Sequence, residues 1–363
     1  PKEWEFARQF ADFSGLRYAL TVANGTVAIQ LALEALGIGA YDEVIVPGLT
    51  WQATAAACLE VNAVPVLVDI DPETYCLDVA AAEAAITSRT RAIIVVHLYG
   101  AMADMDAVIR LARRNNLSLI EDCAHQHGSQ WRGQGVGGLG DVGAFSLQQS
   151  KVLTSGEGGI NTTNDWDLFQ KLYSLRNCGR PFQDGAPTLQ SGNYRATEMQ
   201  AALLLAQMEQ MADWVAVREQ NARRVDACLE SIMGLRPMLR HEGVTRQSYY
   251  CYSFRYDEAL WGGVPVAKFR EAFAAETGLA VGSTYEPLNN CSLYKPHTKP
   301  RYRISEAHWA AIDPGGYRLP AAAHAYAKEG VVIWQPFLLA GQKDIDDIVN
   351  ALQKISQNRD ELP

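Results

Sequence analysis

The sequence predicts an α/β fold: a mostly parallel sheet covered by helices on both faces, followed by a smaller α+β lobe. Three observations predict it. Through the first half of the chain, short apolar runs alternate with helical stretches. Strands buried on both faces read as continuous apolar runs, and crossover helices are what let them lie parallel. Next, residues 196 to about 232 keep a helical period with no Pro or Gly, which suits a helix linking two lobes. Beyond that helix, strands and helices mix without the regular alternation.

The elements follow in order. Strands are expected at 18–22, 43–47, 65–69, 92–97, 118–122 and 141–147, with helices at 26–36, 50–61, 80–86 and 105–115 between them. The glycine-rich stretch 130–140 reads as a hairpin. After the long helix come a strand at 249–256 and helices at 268–276 and 343–355. Residues 282–325 carry many turn formers, and loops that long inside compact domains are often functional. The expected division is a large domain over 1–213 and a small one over 214–363. The chain opens inside a helical pattern (Trp4, Phe6, Phe10, Phe13), which implies residues upstream of it.

Composition bounds the function. With 363 residues and 48% hydrophobic content, the chain can bury a large core in two lobes. A formal net charge of -9 argues against nucleic acid or a polybasic membrane contact. Seven cysteines stand at 58, 76, 123, 178, 228, 251 and 291, an odd number with no CxxC pair. That usage fits a reduced, cytoplasmic chain. No charged-then-apolar leader opens the sequence, and no apolar run approaches about 18 residues.

In α/β sheets ligands collect beyond the carboxyl ends of strands. Asn24-Gly25-Thr26 follows a strand and opens a helix, where free amides and a hydroxyl would bind phosphate. Any helix cap reads the same way when taken alone. Glu121-Asp122 ends a buried strand with two carboxylates. One is expected at the surface and the other in a cleft. The run from Phe145 to Lys151 leads into Gly156-Glu157-Gly158-Gly159. A lysine that forms Schiff bases must be desolvated and held near an electron sink, and glycines let backbone approach a flat ligand. Gly133-Gln134-Gly135-Val136-Gly137-Gly138 imitates a dinucleotide fingerprint, but no buried strand precedes it and no helix follows. A metal site is not expected: His125 and His127 are two apart, with no third ligand at suitable spacing.

Together these segments resemble the fold-type-I aminotransferases, pyridoxal-phosphate (PLP) enzymes that act on keto-sugars and keto-cyclitols. The ordered motifs are Asn24-Gly25-Thr26, Pro47-Gly48-Leu49-Thr50-Trp51, Val96-His97-Leu98-Tyr99-Gly100 and Glu121-Asp122-Cys123-Ala124-His125. Phe145-Ser146 up to Lys151, Gly156 to Gly159, Gly192-Asn193-Tyr194-Arg195 and Glu198 to Ala202 complete them. The resemblance implies that Lys151 forms the Schiff base and Asp122 pairs with the pyridinium nitrogen. It implies that Trp51 stacks on the ring and that Gly25, Thr26 and Ser146 hold the phosphate. His125 would lie near the phenolic oxygen. Asn193 would reach the cofactor of a second copy, making a homodimer with shared sites. The expected ligands are PLP or its amino form, an amino donor and a keto acceptor.

The stretches 150–155 and 292–299 are similar to glutamine-dependent inosose aminotransferases of aminoglycoside assembly. Arg195, Tyr294, His297 and Trp334 are the candidate substrate contacts. One departure stands out: Trp334 and Gln335 occupy positions where such enzymes tend to show paired histidines. Residues 285–303 mix neutral polar groups with Lys295, Lys299, Arg301 and Arg303, so composition leaves the acceptor open. The alternatives are a nucleotide-linked keto-sugar aminotransferase, a dehydratase, which would replace the lysine with histidine, and a non-catalytic regulator on the same fold.

Overall fold

The structure is a computed structural model and describes residues 1–362. Its first lobe runs α1 (Lys2–Ser14), β1 (Tyr18–Val22), α2 (Gly25–Ala35), β2 (Glu43–Pro47), α3 (Ala53–Glu60), β3 (Val64–Val68), α4 (Val79–Ala84), β4 (Thr90–Val96), α5 (Met105–Arg114) and β5 (Ser118–Asp122). A hairpin follows, β6 (Gln130–Trp131) and β7 (Gln134–Gly135), then β8 (Val142–Ser146), β9 (Gly159–Thr163) and α6 (Trp166–Arg176). The central sheet has the order β1-β9-β8-β5-β4-β2-β3. The pairs β3–β2, β2–β4, β4–β5 and β5–β8 are parallel, while β9 runs antiparallel between β8 and β1.

β9 and α6 are absent from the expected elements. β9 reads Gly-Ile-Asn-Thr-Thr, a polar run, yet every residue of it is buried. Its polar side chains donate to partners inside the fold, although Asn161 Oδ1 has none among the described residues. Asn161 donates to the Ala28 carbonyl at 2.7 Å, Thr162 to that of Gly137 at 2.7 Å and Thr163 to that of Asp141 at 2.8 Å. A polar strand with its own buried partners carries no apolar signal. The helix expected from residue 50 starts at Ala53 instead, leaving Thr50 and Trp51 in the loop.

α7 (Glu198–Ser231) is the long helix, started by a capping box between Thr197 and Gln200. Its Ala201, Leu204, Met211 and Val215 pack in the first core. Its Ala222, Val225 and Leu229 pack in a second core. Beyond it lie β10 (Leu235–Pro237), β11 (Val244–Arg246), β12 (Cys251–Tyr256), α8 (Val266–Thr277), β13 (Val281–Gly282), α9 (Glu306–Ala311), α10 (Pro320–His324), β14 (Gly330–Trp334) and α11 (Gln342–Gln357). The second sheet is antiparallel, in the order β10-β12-β14-β13. β11 pairs back onto the β6–β7 hairpin. The turn-rich segment 282–325 returns to the first lobe, where Leu288, Tyr294, Tyr302, Ile312 and Leu319 are buried in its core.

Candidate active site

Asp122 is the last residue of β5, flanked by Val96 of β4 and Ala144 of β8 in the middle of the sheet. Its side chain is buried. Oδ2 accepts the Thr54 hydroxyl at 2.9 Å and Oδ1 accepts the Ala124 amide at 3.2 Å. The Thr50 hydroxyl lies 3.0 Å behind Thr54 and, with Thr54's own proton given to Asp122, is the donor of that pair. Burial pushes the Asp122 carboxyl above its usual range, and Thr54, Ala124 and nearby Lys151 oppose that shift.

Its neighbour Glu121 corrects the expectation of a surface carboxylate, because it is fully buried. Successive strand residues face opposite sides of the sheet. Glu121 therefore turns to the glycine-rich stretch and accepts the amides of Gly137 at 3.0 Å, Leu139 at 2.8 Å and Gly140 at 2.7 Å. The amides that imitate a pyrophosphate cradle thus bind a carboxylate of the same chain. His97, Glu121 and Cys123 also stand within 4.8 Å of one another. Glu121 is taken up as described, and His97 Nδ1 accepts the Ala103 amide at 3.3 Å.

Lys151 sits in the turn after β8. Its amide donates to Gln148 O at 2.9 Å, and the turn closes through Leu147 N to Gly158 O at 2.8 Å. Gln207 of α7 braces this turn from below, accepting Thr154 N at 3.1 Å and donating to Thr154 O at 2.7 Å. Lys151 Nζ lies 3.8 Å from the centre of the Tyr250 ring. Burial lowers the lysine to about 8, against the upward pull of Asp122 and Cys251. A buried lysine of this kind stays largely protonated at neutral pH but gives up its proton more readily than an exposed one.

His125 is buried and packs on Tyr250, ring centres 4.1 Å apart. Its Nδ1 accepts the Tyr99 amide at 3.0 Å, so its proton resides on Nε2. Tyr99 adopts φ 54°, an uncommon conformation for a side chain of this size. Burial first, and Lys151 second, hold His125 well below the usual imidazole range. His127 donates from Nε2 to Ser146 O at 2.8 Å and is likewise held down by burial, to about 3. Its Nδ1 has no partner among the described residues.

The start of α2 meets the end of β8. Asn24 caps the helix by accepting Val27 N at 2.9 Å, and its carbonyl takes Ala28 N at 3.0 Å. The Gly25 and Thr26 amides precede these bonds and face outward from the helix end. A methyl group at Gly25 would come within 2.9 Å of Ser146 Cβ. Glycine there keeps space open between the helix end and the Ser146 hydroxyl, which accepts Gln148 N at 3.3 Å and keeps its own proton to donate. These residues fit a flat cofactor bearing a phosphate: amides and hydroxyls at one end, a buried carboxylate at the other, and a lysine between.

Aromatic side chains form an arc around the lysine. Trp51, 47% exposed, lies 5.6 Å from Tyr285; Tyr285 lies 6.2 Å from His125; Trp334 stands edge-on to Tyr250 at 5.3 Å. The other expected contacts sit elsewhere. Asn193 and Arg195 are exposed on the loop before α7, where Arg195 donates to Asn177 Oδ1 at 2.8 Å. Tyr294 is buried in the first core with no partner for its hydroxyl among the described residues. His297 is exposed, stacked on Trp309 at 4.3 Å. Gln335 turns inward and accepts Arg218 Nε at 2.8 Å. Sequence reasoning missed Thr54, Tyr250 and Tyr285. Thr54 stands one turn after Trp51 and carried no separate signal. Tyr250 and Tyr285 come from the second half of the chain and join the lysine only through the fold.

Comparison with known proteins gives the family. The profile of the DegT/DnrJ/EryC1/StrS aminotransferase family matches residues 1–320. An L-glutamine:2-deoxy-scyllo-inosose aminotransferase of Streptoalloteichus tenebrarius is 42% identical over 99% of this chain and 87% of its own. An L-glutamine:scyllo-inosose aminotransferase of Streptomyces griseus is 44% identical over 98% of this chain and 86% of its own. Among solved structures, 3-amino-5-hydroxybenzoic acid synthase superposes with a TM-score of 0.82 at 30% identity, covering 97% of this chain and 91% of its own. DesV of S. venezuelae gives 0.83 at 30% identity, over 98% and 90%. With a family profile matching residues 1–320 and relatives at 42–44% identity over nearly the whole chain, the chain belongs to the DegT/DnrJ/EryC1/StrS aminotransferase family of PLP-dependent enzymes.

Proposed function

We propose that this aminotransferase moves an amino group from an amino acid, L-glutamine first among them, to a keto-cyclitol such as scyllo-inosose or its 2-deoxy form. The near full-length similarity to inosose aminotransferases supports the class. The observation that carries the acceptor is where the cations of the 285–303 segment go. Lys299 Nζ and Arg301 both pair with Glu60, the former at 2.7 Å, and Arg303 pairs with Glu306 at 2.8 Å. A nucleotide sugar carries a diphosphate, which calls for free Arg or Lys donors. Three of the four cations are engaged with carboxylates instead, and the arc around Lys151 is neutral and aromatic. Trp334 is the substrate contact that this geometry favours; Arg195, Tyr294 and His297 lie outside the arc.

Bound PLP supplies the electron sink that lets an amino group change carbon. The residues of the chain bind and orient it. The Gly25 and Thr26 amides and the Ser146 hydroxyl would hold its phosphate, Trp51 would cover its ring, and His125 would offer its Nε2–H as a donor. An ionised Asp122 would keep a proton on the ring nitrogen. Lys151 Nζ would hold the cofactor and serve as the acid and base that moves protons beside it.

The reading includes a homodimer in which Asn193, on an exposed loop, reaches the second copy's site. Large apolar side chains exposed at the start of α7, Met199 at 81% and Leu203 at 53%, support a covered surface there. It also includes a boundary between the lobes near residues 213 and 214, along α7. The cytoplasm suits the seven unpaired cysteines. The test is a screen of keto-cyclitols and nucleotide keto-sugars against glutamine, glutamate and alanine. Inert inososes beside a readily converted nucleotide keto-sugar would sink the acceptor and leave the aminotransferase standing.

A further inference from the structure

Tyr250 touches the reacting lysine, although no motif marks it. It is the residue before β12, at the edge of the second lobe, and its ring centre lies 3.8 Å from Lys151 Nζ. The ring is held independently of the lysine. Ser150 Oγ donates to Gln148 Oε1 at 2.6 Å, so the proton in the 2.9 Å contact between Ser150 and Tyr250 belongs to the tyrosine. The loop that carries the lysine therefore also grips the far end of the ring. His125 packs against it at 4.1 Å, and Trp334 meets it edge-on at 5.3 Å and 89°.

We infer that Tyr250 is a positioning residue whose ring face holds the amine of Lys151 whenever that amine is free of the cofactor. The inference rests on the reading of Lys151 as the cofactor-binding lysine. In each half of a turnover the amine is released, carries a proton, and must be found in place again. A four-carbon stem has many rotamers to lose. The π-face attracts the ammonium form electrostatically, and it leaves the lone pair of the neutral amine free to act as a base. The carboxylate of Asp122 accepts from Thr54 and Ala124, and no hydrogen bond or ion pair joins it to the Lys151 amine among the described residues.

The test uses the enzyme loaded with pyridoxamine phosphate, in which Lys151 is free. Brief pulses of acetic anhydride across a pH series, read by peptide mass spectrometry, give the titration midpoint of Lys151. Tyr250→Phe keeps the face and should keep the wild-type midpoint. Tyr250→Leu removes the face while keeping the site apolar, and the midpoint should fall by about 0.5 to 1.5 pH units. Turnover should fall with it while the KM values stay, and Tyr250→Phe should restore both. Tyr250→Met replaces the leucine variant if that one does not fold. A leucine or methionine variant that titrates at or above the wild-type midpoint overturns the inference. So does a phenylalanine variant that shifts as far as leucine. Failure of the underlying reading looks different: borohydride treatment of the PLP-loaded protein would then mark a lysine other than Lys151.

Discussion

Asp122→Asn separates the fold from the chemistry, because the two should move in opposite directions. The substitution nearly preserves shape. The new amide oxygen can accept Ala124 N, and the NH2 can donate to Thr54 Oγ1, whose own proton has the Trp51 carbonyl 3.2 Å away. No buried group loses its partner. Burial raises the Asp122 carboxyl above its unfolded value. The stability linked to this group is therefore full below the unfolded pKa and is lost as pH rises through the folded one. At neutral pH the anion works against the cofactor-free fold, and the amide does not. Cofactor-free Asp122→Asn should melt at the wild-type temperature or above. Toward the cofactor the sign reverses. Removing one member of a buried ion pair costs about 3–5 kcal/mol, roughly two to four orders of magnitude in affinity. Thermal melts of the stripped protein, absorbance titration with PLP and turnover of the loaded enzyme give the three readings. Near-normal PLP affinity and turnover would refute the assignment of Asp122 to the ring nitrogen. A large drop in the cofactor-free melting temperature would refute the account of its hydrogen bonds.

Borohydride reduction of the PLP-loaded enzyme should leave the pyridoxyl group on Lys151, and peptide mapping that finds it elsewhere removes the central assignment. Gly25→Ala should weaken PLP binding by roughly five- to 150-fold, since its methyl group would come within 2.9 Å of Ser146 Cβ and overpacking typically costs about 1–3 kcal/mol. An unchanged PLP titration would take Gly25 out of the cradle. Mixing inactive Lys151→Ala and Asn193→Ala chains should recover part of the activity through mixed dimers. No recovery on mixing, or a fully active monomer by sedimentation, contradicts shared sites.

The sequence by itself determined most of the first lobe's strands and helices, and its ordered motifs pointed to the family. Strands buried on both faces announce themselves as apolar runs, and turns that need particular residues keep those residues at fixed spacing. Asn24-Gly25-Thr26, Asp122, Ser146 and Lys151 lie at or just beyond strand ends, but each taken alone reads as an ordinary cap, turn or surface charge, and their roles come from the ordered series of motifs that resembles the family. The composition of β9 hid it, since Asn161, Thr162 and Thr163 are buried with partners that lie 18 to 133 residues away. The resemblance singles out Asp122, but only the tertiary structure gives the destination of its neighbour Glu121, which is buried and not at the surface. The alternation of the strand sends Asp122 to Thr54 and Glu121 to the glycine loop. It alone engaged Lys299, Arg301 and Arg303 in ion pairs, and it alone set Tyr250 against Lys151 across 99 positions of chain. Contacts of that range leave no period and no spacing in a sequence. They are fixed by how one lobe packs on the other.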